Sequence, residues 1–458
     1  MTVAQELASF IVRASYDDLS EEARHQMKVR VLDSLGCAIA AVEGEPIRLI
    51  REQIEDFGGK GHCTLIGGGR TSPDRAALYN SALVRYLDFN DFYLAPGESC
   101  HPSDNFGPVL AATEYAGGNG ADLLTAMAVA YQVQCRLSDV APVRAKGFDH
   151  TTQGSYAVAA GVSKALGLDV ERTANAIALS GTPFNALRVT RTGALSHWKG
   201  LAYPSTAFSC THASFLAMRG VTGPPEVFEG NKGFMDTISG HFSLDWSREG
   251  LDRVLRTEVK KYNAEGHSQQ TIEGILELRS EHGFSAEDVV GIEIETFDVA
   301  YNIIGGGEEG DKTLVENKEQ ADHSLHYMVA AAILDGQVMP EQYTSKRIHS
   351  RDVQDLLRKV VVHPSDAYSK RFPDEMPTLM RVTLRDGSVL VNEKTDYEGF
   401  HSNPMRWETV VDKFEGLSEP YADMPLRGEI VDAVSRLDAV PVGEFAALLA
   451  RVRTGDSS

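Results

Sequence analysis

Cysteine is scarce and dispersed in this sequence. The 458 residues include five cysteines, namely Cys37, Cys63, Cys100, Cys135 and Cys210. No two of them have the close spacing that holds most iron–sulfur clusters. An odd, scattered set is typical of reduced thiols in a cytosolic protein and not of a disulfide framework. We therefore expect neither an iron–sulfur cluster nor a fold held together by disulfides.

Positive charge is in deficit, and long hydrophobic runs are missing. The 44 Lys and Arg against 65 Asp and Glu give a formal net charge of -21, which disfavours a nucleic-acid partner because phosphate binding needs a basic surface. An anionic substrate stays compatible, since a local basic pocket can lie on an acidic protein. The longest nearly apolar stretch, Leu123 to Val133, is too short to span a bilayer. The first residues include Glu6 and do not resemble a signal peptide, so we expect a cytoplasmic protein without membrane contact.

The common nucleotide and hydrolase motifs are absent as well. Gly305-x-Gly307-x-x-Gly310 has the letters of a dinucleotide-binding loop, but the acidic segment 308–320 follows it where a hydrophobic helix is needed. We interpret it as a flexible loop. The sequence has no Walker loop, no His-Glu-x-x-His and no Gly-x-Ser-x-Gly motif. These absences disfavour nucleotide-dependent, zinc-protease and serine-hydrolase chemistry.

Helical patterns fill the first half of the chain. Ser20 is a predicted N-cap, and apolar residues recur at helical spacing after it and again from Ala121. Between the helical stretches lie polar segments with Gly and Pro, which we predict to be long loops: Ile66–Pro73, Ala95–Pro108 and Thr182–Trp198. In a helical protein such loops are the expected place for function.

The pattern changes near Lys260. Residues 290–297 alternate as a half-buried strand, 359–363 form a β-branched run, and 378–391 read as a hairpin that turns at Asp386-Gly387. One amphipathic helix, 325–334, lies among these strands, and helical patterns return after His401. A chain of this length exceeds a single hydrophobic core. The predicted fold class is mainly α with an inserted α+β domain: residues 1–262 and 402–458 form a large helical domain, and 263–401 form the smaller domain.

Two polar clusters lie in the early loops. Asp88, Asp91 and His101 offer acids and a base close together in sequence, although the carboxylates could equally cap local backbone and His101 could pack in a turn. His150 precedes a helix, where an imidazole is an N-terminal cap or a surface residue about as often as a catalyst.

Three further polar clusters follow along the chain. Arg191 and Lys199 could hold carboxylates or could be ordinary solvated charges. Lys260 and His267 lie where the helical pattern gives way to strands, and ligand pockets favour domain interfaces. In the last cluster, Asp322-His323-Ser324, the first or third residue could do no more than cap the following helix.

These clusters resemble the motifs of the MmgE/PrpD family. The matching segments appear in order along the chain: Asp88-Phe-Asn-Asp, Gly97-Glu-Ser-Cys-His, Ser196-His-Trp-Lys-Gly, Val227-Phe-Glu-Gly-Asn-Lys, Ala264-Glu-Gly-His-Ser-Gln and Ala321-Asp-His-Ser-Leu-His-Tyr. The last segment is most similar to the branch that dehydrates 2-methylcitrate. The resemblance covers the whole chain.

The resemblance implies a helical domain from both termini, an inserted lid domain and a homodimer. It also implies a small tricarboxylate substrate and catalysis without a metal or another cofactor. Related branches of the family decarboxylate cis-aconitate or epimerise an iminodisuccinate, and these activities are the alternatives to dehydration. A binding protein without catalytic activity is a remote alternative, because such a protein need not retain polar motifs at five separate places.

Site residues are carried over by position. Asp88, His101, His150, Lys260 and Tyr301 occupy the positions of site residues in the decarboxylase branch. Two positions depart from the family pattern. The lysine before Gly200 is displaced, because the chain reads Ser196-His-Trp-Lys199 where that branch has Lys-Pro-Leu-His. Asn90 replaces a common Asp, which removes one acid.

Dehydration of a β-hydroxy acid needs a base for a carbon-bound proton, an acid for the leaving hydroxyl and donors or cations for the growing charge. We expect His101 and His150 to share the proton transfers, with Asp88 orienting an imidazole. Lys260 and Arg191 would hold carboxylates. The complete set of predicted catalytic residues is Asp88, Asp91, His101, His150, Lys199, Lys260, His267 and Tyr301. The predicted substrate-binding residues are Arg191 and His323.

Overall fold

The computed structural model describes residues 1–192 and 195–453. The chain is mostly helical with a small mixed sheet, as predicted. It divides into two compact units. The first, here called the helical unit, comprises Met1–Val259 and the segment from Arg406 onward, and the second, the mixed unit, comprises Lys260–Met405. That the mixed unit acts as a lid stays a prediction.

The helical unit begins with a series of helices and two short hairpins. Helices α1 to α9 are Val3–Arg13, Glu21–Ala40, Glu45–Phe57, Pro73–Tyr86, Phe106–Ala116, Gly120–Val140, Thr151–Ala165, Val170–Gly181 and Trp198–Met218. Strands β1 to β4 pair as Cys63–Thr64 with Arg70–Thr71 and Tyr93–Ala95 with Glu98–Cys100. Ser20 caps α2 as predicted, because its hydroxyl accepts from the amide of Ala23 at 3.1 Å.

Helix α7 is buried along almost its whole length, and two glycines let its neighbours approach. A Cβ added at Gly154 would lie 2.5 Å from the Tyr203 ring of α9. One added at Gly161 would lie 2.8 Å from Val109 of α5 and 3.0 Å from Ala130 of α6. The start of α7 is therefore held firmly within the core, which matters because His150 directly precedes it.

The mixed unit contains a four-stranded sheet in the order β6-β5-β7-β8. The strands β5 to β8 are Val289–Thr296, Val360–Pro364, Thr378–Leu384 and Val389–Lys394. Strand β5 runs parallel to β6 and antiparallel to β7, and the three predicted strand segments are confirmed. Helices α10 to α16 are Gln269–His282, Asp298–Ala300, Lys318–Ala321, Leu325–Asp335, Ser345–Ile348, Arg351–Leu357 and Asp366–Ser369.

Alternation along β5 builds the core of the mixed unit. Ile292 and Ile294 are buried in one hydrophobic cluster with Met328 of α13, whereas Glu295 on the other face pairs with Arg381 of β7 at 2.6 Å. This is the two-residue period expected of a half-buried strand.

The chain then returns to the helical unit through α17, α18 and α19, which are Trp407–Ser418, Met424–Ser435 and Val442–Leu449. Helix α17 packs on α2 at Gly36, where an added Cβ would meet Phe414 at 3.3 Å and Leu417 at 3.4 Å. The absence of a side chain at Gly36 permits this close helix contact. Among the described residues, no helix combines the length and apolarity needed to cross a membrane.

Three of the loop predictions were wrong in part. The segment Ile66–Pro73 contains β2, Arg70–Thr71, and its last residue begins α4. The segment Ala95–Pro108 contains β4 and the start of α5, because Gly97 at φ +76 closes a tight hairpin. Gly305, interpreted as part of a flexible loop, ends the helical turn Tyr301–Gly305 and is buried together with Ile304. The predicted loop Thr182–Trp198 includes Gly193 and Ala194, which lie outside the described residues.

Candidate active site

A strained turn after α4 presents Asp88. Its backbone lies in the left-handed region at φ 55, which costs a residue with a Cβ about 1 kcal/mol. The Asp88 carboxylate accepts from Arg85 Nη1 at 2.6 Å and lies 3.3 Å from Lys199 Nζ. All three side chains are largely buried, so the interpretation of Lys199 as an ordinary solvated charge was wrong. Two cations thus hold the carboxylate in a position that the backbone alone disfavours.

Asp91 serves the local framework. Its carboxylate accepts from the amide of Ser103 at 3.0 Å and from the hydroxyl of Tyr131 at 2.7 Å. Burial raises the pKa of Asp91. Asn90 donates to the Ser103 hydroxyl at 2.8 Å and to the Asp104 carboxylate at 2.9 Å. The contact with the Ser103 amide fits the alternative that Asp91 binds backbone, whereas the contact with Tyr131 is to a side chain of α6.

His101 follows strand β4 and begins a turn over Pro102–Asn105. Its Nδ1 lies 2.8 Å from the carbonyl oxygen of Asp91. A carbonyl oxygen can only accept, so Nδ1 carries the hydrogen, and Nε2 is the basic nitrogen of the neutral ring. The backbone contact therefore selects the tautomer of His101.

His150 lies next to His101, with ring centroids 5.5 Å apart and ring planes at 62°. The sequence alternatives for His150 were an N-terminal cap, a surface residue and a catalyst, and the side chain is buried. It occupies the N-cap position of α7, but its side chain makes no capping hydrogen bond. Instead Nδ1 lies 3.2 Å from Asp149 Oδ1, and the ring stacks on Tyr203 at 6.1 Å. Nε2 of His150 is buried, and it has no hydrogen-bond partner among the described residues.

Asp149 is surrounded by donors. Arg191 Nε donates to its Oδ2 at 2.6 Å, and Arg188 Nη1 lies 3.9 Å from the same oxygen. The amide of Thr151 donates to Oδ1 at 3.1 Å. Burial opposes ionisation of Asp149, but Arg191 and His150 outweigh it and hold the pKa of the carboxyl well below its usual range. Asp149 is consequently a permanent anion beside the His150 imidazole, and the interpretation of Arg191 as a solvated charge was wrong.

Burial lowers the pKa of His150 to about 3, although Asp149 opposes the change. The positive charges of Arg191, Arg85 and Arg188 lower the pKa further. The ring is therefore neutral at neutral pH in the protein without substrate. A neutral imidazole with a buried Nε2 is suited to accept a proton and cannot supply one.

Asp104 lies behind the same cluster. Its Oδ2 is 3.6 Å from Arg85 Nε, and its side chain is fully buried. Burial raises the pKa of Asp104 to about 7, against the opposing charges of Arg85 and Arg191. Besides the permanently ionised Asp149, the cluster thus contains one carboxyl, that of Asp104, whose charge changes near neutral pH.

In the mixed unit, Glu265 gathers three of the predicted residues. Its carboxylate accepts from the backbone amide of His267 at 2.8 Å and lies 2.7 Å from His267 Nδ1. Burial opposes its ionisation, but His267, His323 and Lys260 outweigh it and lower the pKa of Glu265 to about 2. Lys260 and His267 are buried there.

The segment Asp322-His323-Ser324 adjoins this cluster, because the amide of Glu265 donates to the carbonyl of Asp322 at 3.0 Å. His323 Nδ1 is 2.5 Å from Asp322 Oδ1, and Lys318 binds the other oxygen of Asp322 at 2.8 Å. Ser324 caps α13, because its hydroxyl accepts from the amide of Tyr327 at 3.1 Å. The capping hypothesis for this cluster is thus correct for Ser324, whereas the described contacts of Asp322 are ion pairs.

Tyr301 begins the helical turn that follows α11. Its amide donates to the carbonyl of Phe297 at 3.1 Å, and the Phe297 ring lies 5.7 Å from that of His267. Phe297 also stacks on Phe372 at 4.5 Å. Tyr301 is therefore linked through its backbone to Phe297, and its ring lies beside Gly305, where an added Cβ would meet it at 3.1 Å.

Sequence reasoning proposed no role for Arg85, Asp104 and Asp149 of the cluster in the helical unit or for Glu265 of the cluster in the mixed unit. Asp149 and Glu265 each lie within two positions of a predicted histidine, which is the one signal that could have drawn attention to them. Arg85 lies near the end of a helix among apolar residues and is 2% exposed, so its partners became visible only in the fold. Among the described residues, no group of His, Cys, Asp and Glu side chains is arranged to hold a metal ion.

Comparison with known proteins assigns the chain to a family. Residues 5–247 match the MmgE/PrpD N-terminal domain, and residues 262–438 match the MmgE/PrpD C-terminal domain. Together these matches cover most of the chain. The protein belongs to the MmgE/PrpD family.

Named relatives align along most of their length. The chain is 27% identical to the mitochondrial 2-methylcitrate dehydratase of Yarrowia lipolytica, over 86% of this chain and 79% of the relative. It is 26% identical to 2-methylcitrate dehydratase of Escherichia coli K12, over 94% of each. It is also 24% identical to cis-aconitate decarboxylase of Mus musculus, over 100% of this chain and 94% of the relative. The family and these relatives make the protein an enzyme of the carbon–oxygen lyase class.

Proposed function

We propose that this enzyme removes water from a small tricarboxylic hydroxy acid, 2-methylcitrate or a citrate-like relative, to give 2-methyl-cis-aconitate or the corresponding alkene. The observation that supports this proposal most is the pair of facing imidazoles, His101 and His150, among arginines in one buried cluster. Dehydration needs one group that takes a proton and one that returns a proton, and the pair offers both.

His150 is the proposed base. Its Nε2 would take the proton from the carbon beside a substrate carboxylate, while Nδ1 lies 3.2 Å from the Asp149 carboxylate. The ring becomes an imidazolium in that step, and the adjacent anion stabilises the developing charge. Asp149 therefore fills the orienting role that the sequence suggested for Asp88, whose carboxylate is bound by Arg85 and Lys199.

Substrate binding would strengthen this base. The charges of Arg191, Arg85 and Arg188 lower the pKa of His150 in the protein without substrate. Carboxylates of the substrate, placed against these guanidinium groups, would offset that field and raise the pKa. The pKa of His150 is thus higher in the substrate complex than in the protein without substrate.

His101 is the proposed acid, because His150 is neutral and cannot protonate the departing hydroxyl. The hydrogen bond from Nδ1 to the Asp91 carbonyl directs Nε2 of His101 away from that carbonyl. In the protonated ring, Nε2 would carry the proton that the leaving oxygen receives. The acid and the base would then act from neighbouring rings.

Arg191 is the proposed carboxylate ligand. Its Nε is taken by Asp149, whereas its buried Nη2 has no hydrogen-bond partner among the described residues. A buried guanidinium donor without a partner is costly, and a substrate carboxylate would satisfy it. Lys199 beside Asp88 is the proposed second cation.

Lys260, His267, Tyr301 and His323 of the mixed unit remain proposed site residues, since Glu265 draws three of them into one buried cluster. A homodimer and catalysis without a cofactor remain expectations from the family resemblance, and a cytoplasmic location remains an expectation from the sequence.

The test compares His150→Ala and His101→Ala with wild type on 2-methylcitrate, citrate and cis-aconitate. Alkene absorbance and carbon dioxide are measured together. We expect wild type to form alkene from 2-methylcitrate and each variant to lose about a hundredfold to ten-thousandfold in kcat. His212→Ala is the control, because this histidine is exposed and pairs with Asp74 at 3.2 Å.

Product identity separates the second candidate function. Carbon dioxide from cis-aconitate without alkene formation from any hydroxy acid would assign the decarboxylase activity of the mouse relative instead. Near-normal rates in both histidine variants would contradict the proposed roles of His101 and His150, whether the reaction is dehydration or decarboxylation.

A further inference from the structure

Lys413 reaches from α17 into the interior of the helical unit. Its Nζ donates to Asp33 Oδ1 of α2 at 2.5 Å and to the backbone carbonyl of Phe89 at 3.0 Å. The same nitrogen lies 3.6 Å from the centroid of the Phe89 ring. The side chains of Lys413 and Asp33 are 5% and 0% exposed. The C-terminal part of the chain therefore contacts the turn that follows α4.

Phe89 is the residue directly after Asp88, the strained residue of the site. The chain on the other side of this turn is anchored, because Phe92 exchanges two backbone hydrogen bonds with Glu258, at 2.9 and 2.8 Å. Phe89 is fully buried, and Lys413 contacts both its ring and its carbonyl oxygen, so the backbone angles of Phe89 are restrained. The planar peptide that joins Phe89 to Asp88 carries this restraint to the Asp88 backbone.

A buried ion pair contributes little net stability, because apolar residues of the same volume serve as well. What a lysine adds here is a directed donor for one carbonyl oxygen, together with a cation over one aromatic face. Asp33 compensates the buried charge of that donor. The pair of Lys413 and Asp33 therefore fixes the position of the Phe89 carbonyl more than it stabilises the fold.

We propose that Lys413 is a positioning residue for the reaction: it holds the Phe89 carbonyl and so keeps Asp88 in the left-handed conformation beside Lys199. The inference rests on the proposed function for its kinetic consequence. Lys413 acts through the turn and touches neither imidazole in the contacts described above.

Two substitutions separate position from charge pairing. Lys413→Met removes the donor to Phe89, whereas Asp33→Asn breaks the ion pair and leaves that donor in place. We expect Lys413→Met to lower kcat about tenfold to a hundredfold with little change in KM, as misplaced site groups do. Asp33→Asn should keep kcat within about threefold of wild type, on the same reasoning.

The double variant Asp33→Asn/Lys413→Met removes both buried charges. We expect it to recover thermal stability relative to Lys413→Met alone, because no uncompensated charge remains, and to keep the low kcat. Leu417→Ala is the matched control: this residue lies one turn further on α17, and its truncation loosens the contact with Gly36. It should lower the melting temperature and leave kcat unchanged.

A crystal structure of the double variant tests the position without any assay. We expect the φ of Asp88 to leave the left-handed region near 55 that it occupies here. An unchanged Asp88, a wild-type kcat in the double variant, or an equal loss of kcat in Asp33→Asn would each overturn the inference. A wild-type enzyme inactive on every tricarboxylate would instead refute the proposed function, and the crystallographic result would still decide the role of Lys413.

Discussion

Asp149→Asn is the most direct probe of the proposed base. The change keeps the shape of the side chain and removes its charge. In this protein the carboxylate lies 3.2 Å from His150 Nδ1. Two unit charges at that distance interact by about 5 kcal/mol at an effective dielectric constant of about 20. Because the imidazolium charge is spread over the ring and develops only in part, we expect kcat to fall about a hundredfold to a thousandfold.

The substitution also leaves Arg191 buried without its anion, at a cost of about 3–5 kcal/mol of stability. Asp139→Asn is the matched control, since this carboxylate binds Arg136 at 2.8 Å and accepts from Tyr93 at 2.8 Å in the same unit. It should destabilise the fold and spare the rate.

The assay is alkene absorbance under saturating substrate at a temperature where circular dichroism shows each variant folded. The separation of 3.2 Å between the Asp149 carboxylate and His150 Nδ1 implies a large loss of rate. If folded Asp149→Asn keeps kcat within about threefold of wild type, the reasoning on Asp149 and His150 is refuted.

Two further predictions concern pH and metals. Burial raises the pKa of the Asp104 carboxyl from an ordinary 3.8 to about 7. Between these values the folded state keeps a proton that the unfolded chain has lost. The unfolding free energy of wild type should therefore fall relative to that of Asp104→Asn, by about 4 kcal/mol in total, as pH rises from about 4 to about 7. Urea unfolding of both proteins at pH 4, 6 and 8 measures this difference, and a constant difference would contradict it. Turnover should survive exhaustive chelation, and loss of activity that added metal restores would disprove a metal-independent mechanism.

The sequence alone was sufficient for much of the secondary structure. The strands at 289–296 and 378–394 and the helix at 325–335 follow from apolar periods of two and 3.6 residues, which are local properties of the chain. Ser20 as a cap is a local property too. The loop predicted at Ala95–Pro108 was wrong in part because short hairpins such as β3-β4 depend on one positive φ at Gly97 and have little periodicity to detect.

The family motifs also indicated which histidines and lysines to examine, because they are contiguous stretches of sequence. They did not indicate what surrounds each side chain. Asp149 was overlooked although it is adjacent to His150, since nothing in the sequence shows that Arg188 and Arg191 come back to it. The neutrality of His150 follows from burial and from those charges together.

Tertiary structure therefore decided the chemistry of the site. The pairing of His101 with His150 brings together the turn after β4 and the start of α7, and Lys413 reaches Phe89 from the far end of the chain. Hydrophobic period and capping act over a few residues, whereas the pKa of a group and the tautomer of an imidazole depend on atoms within a few ångströms in space. Only the packed fold places those atoms.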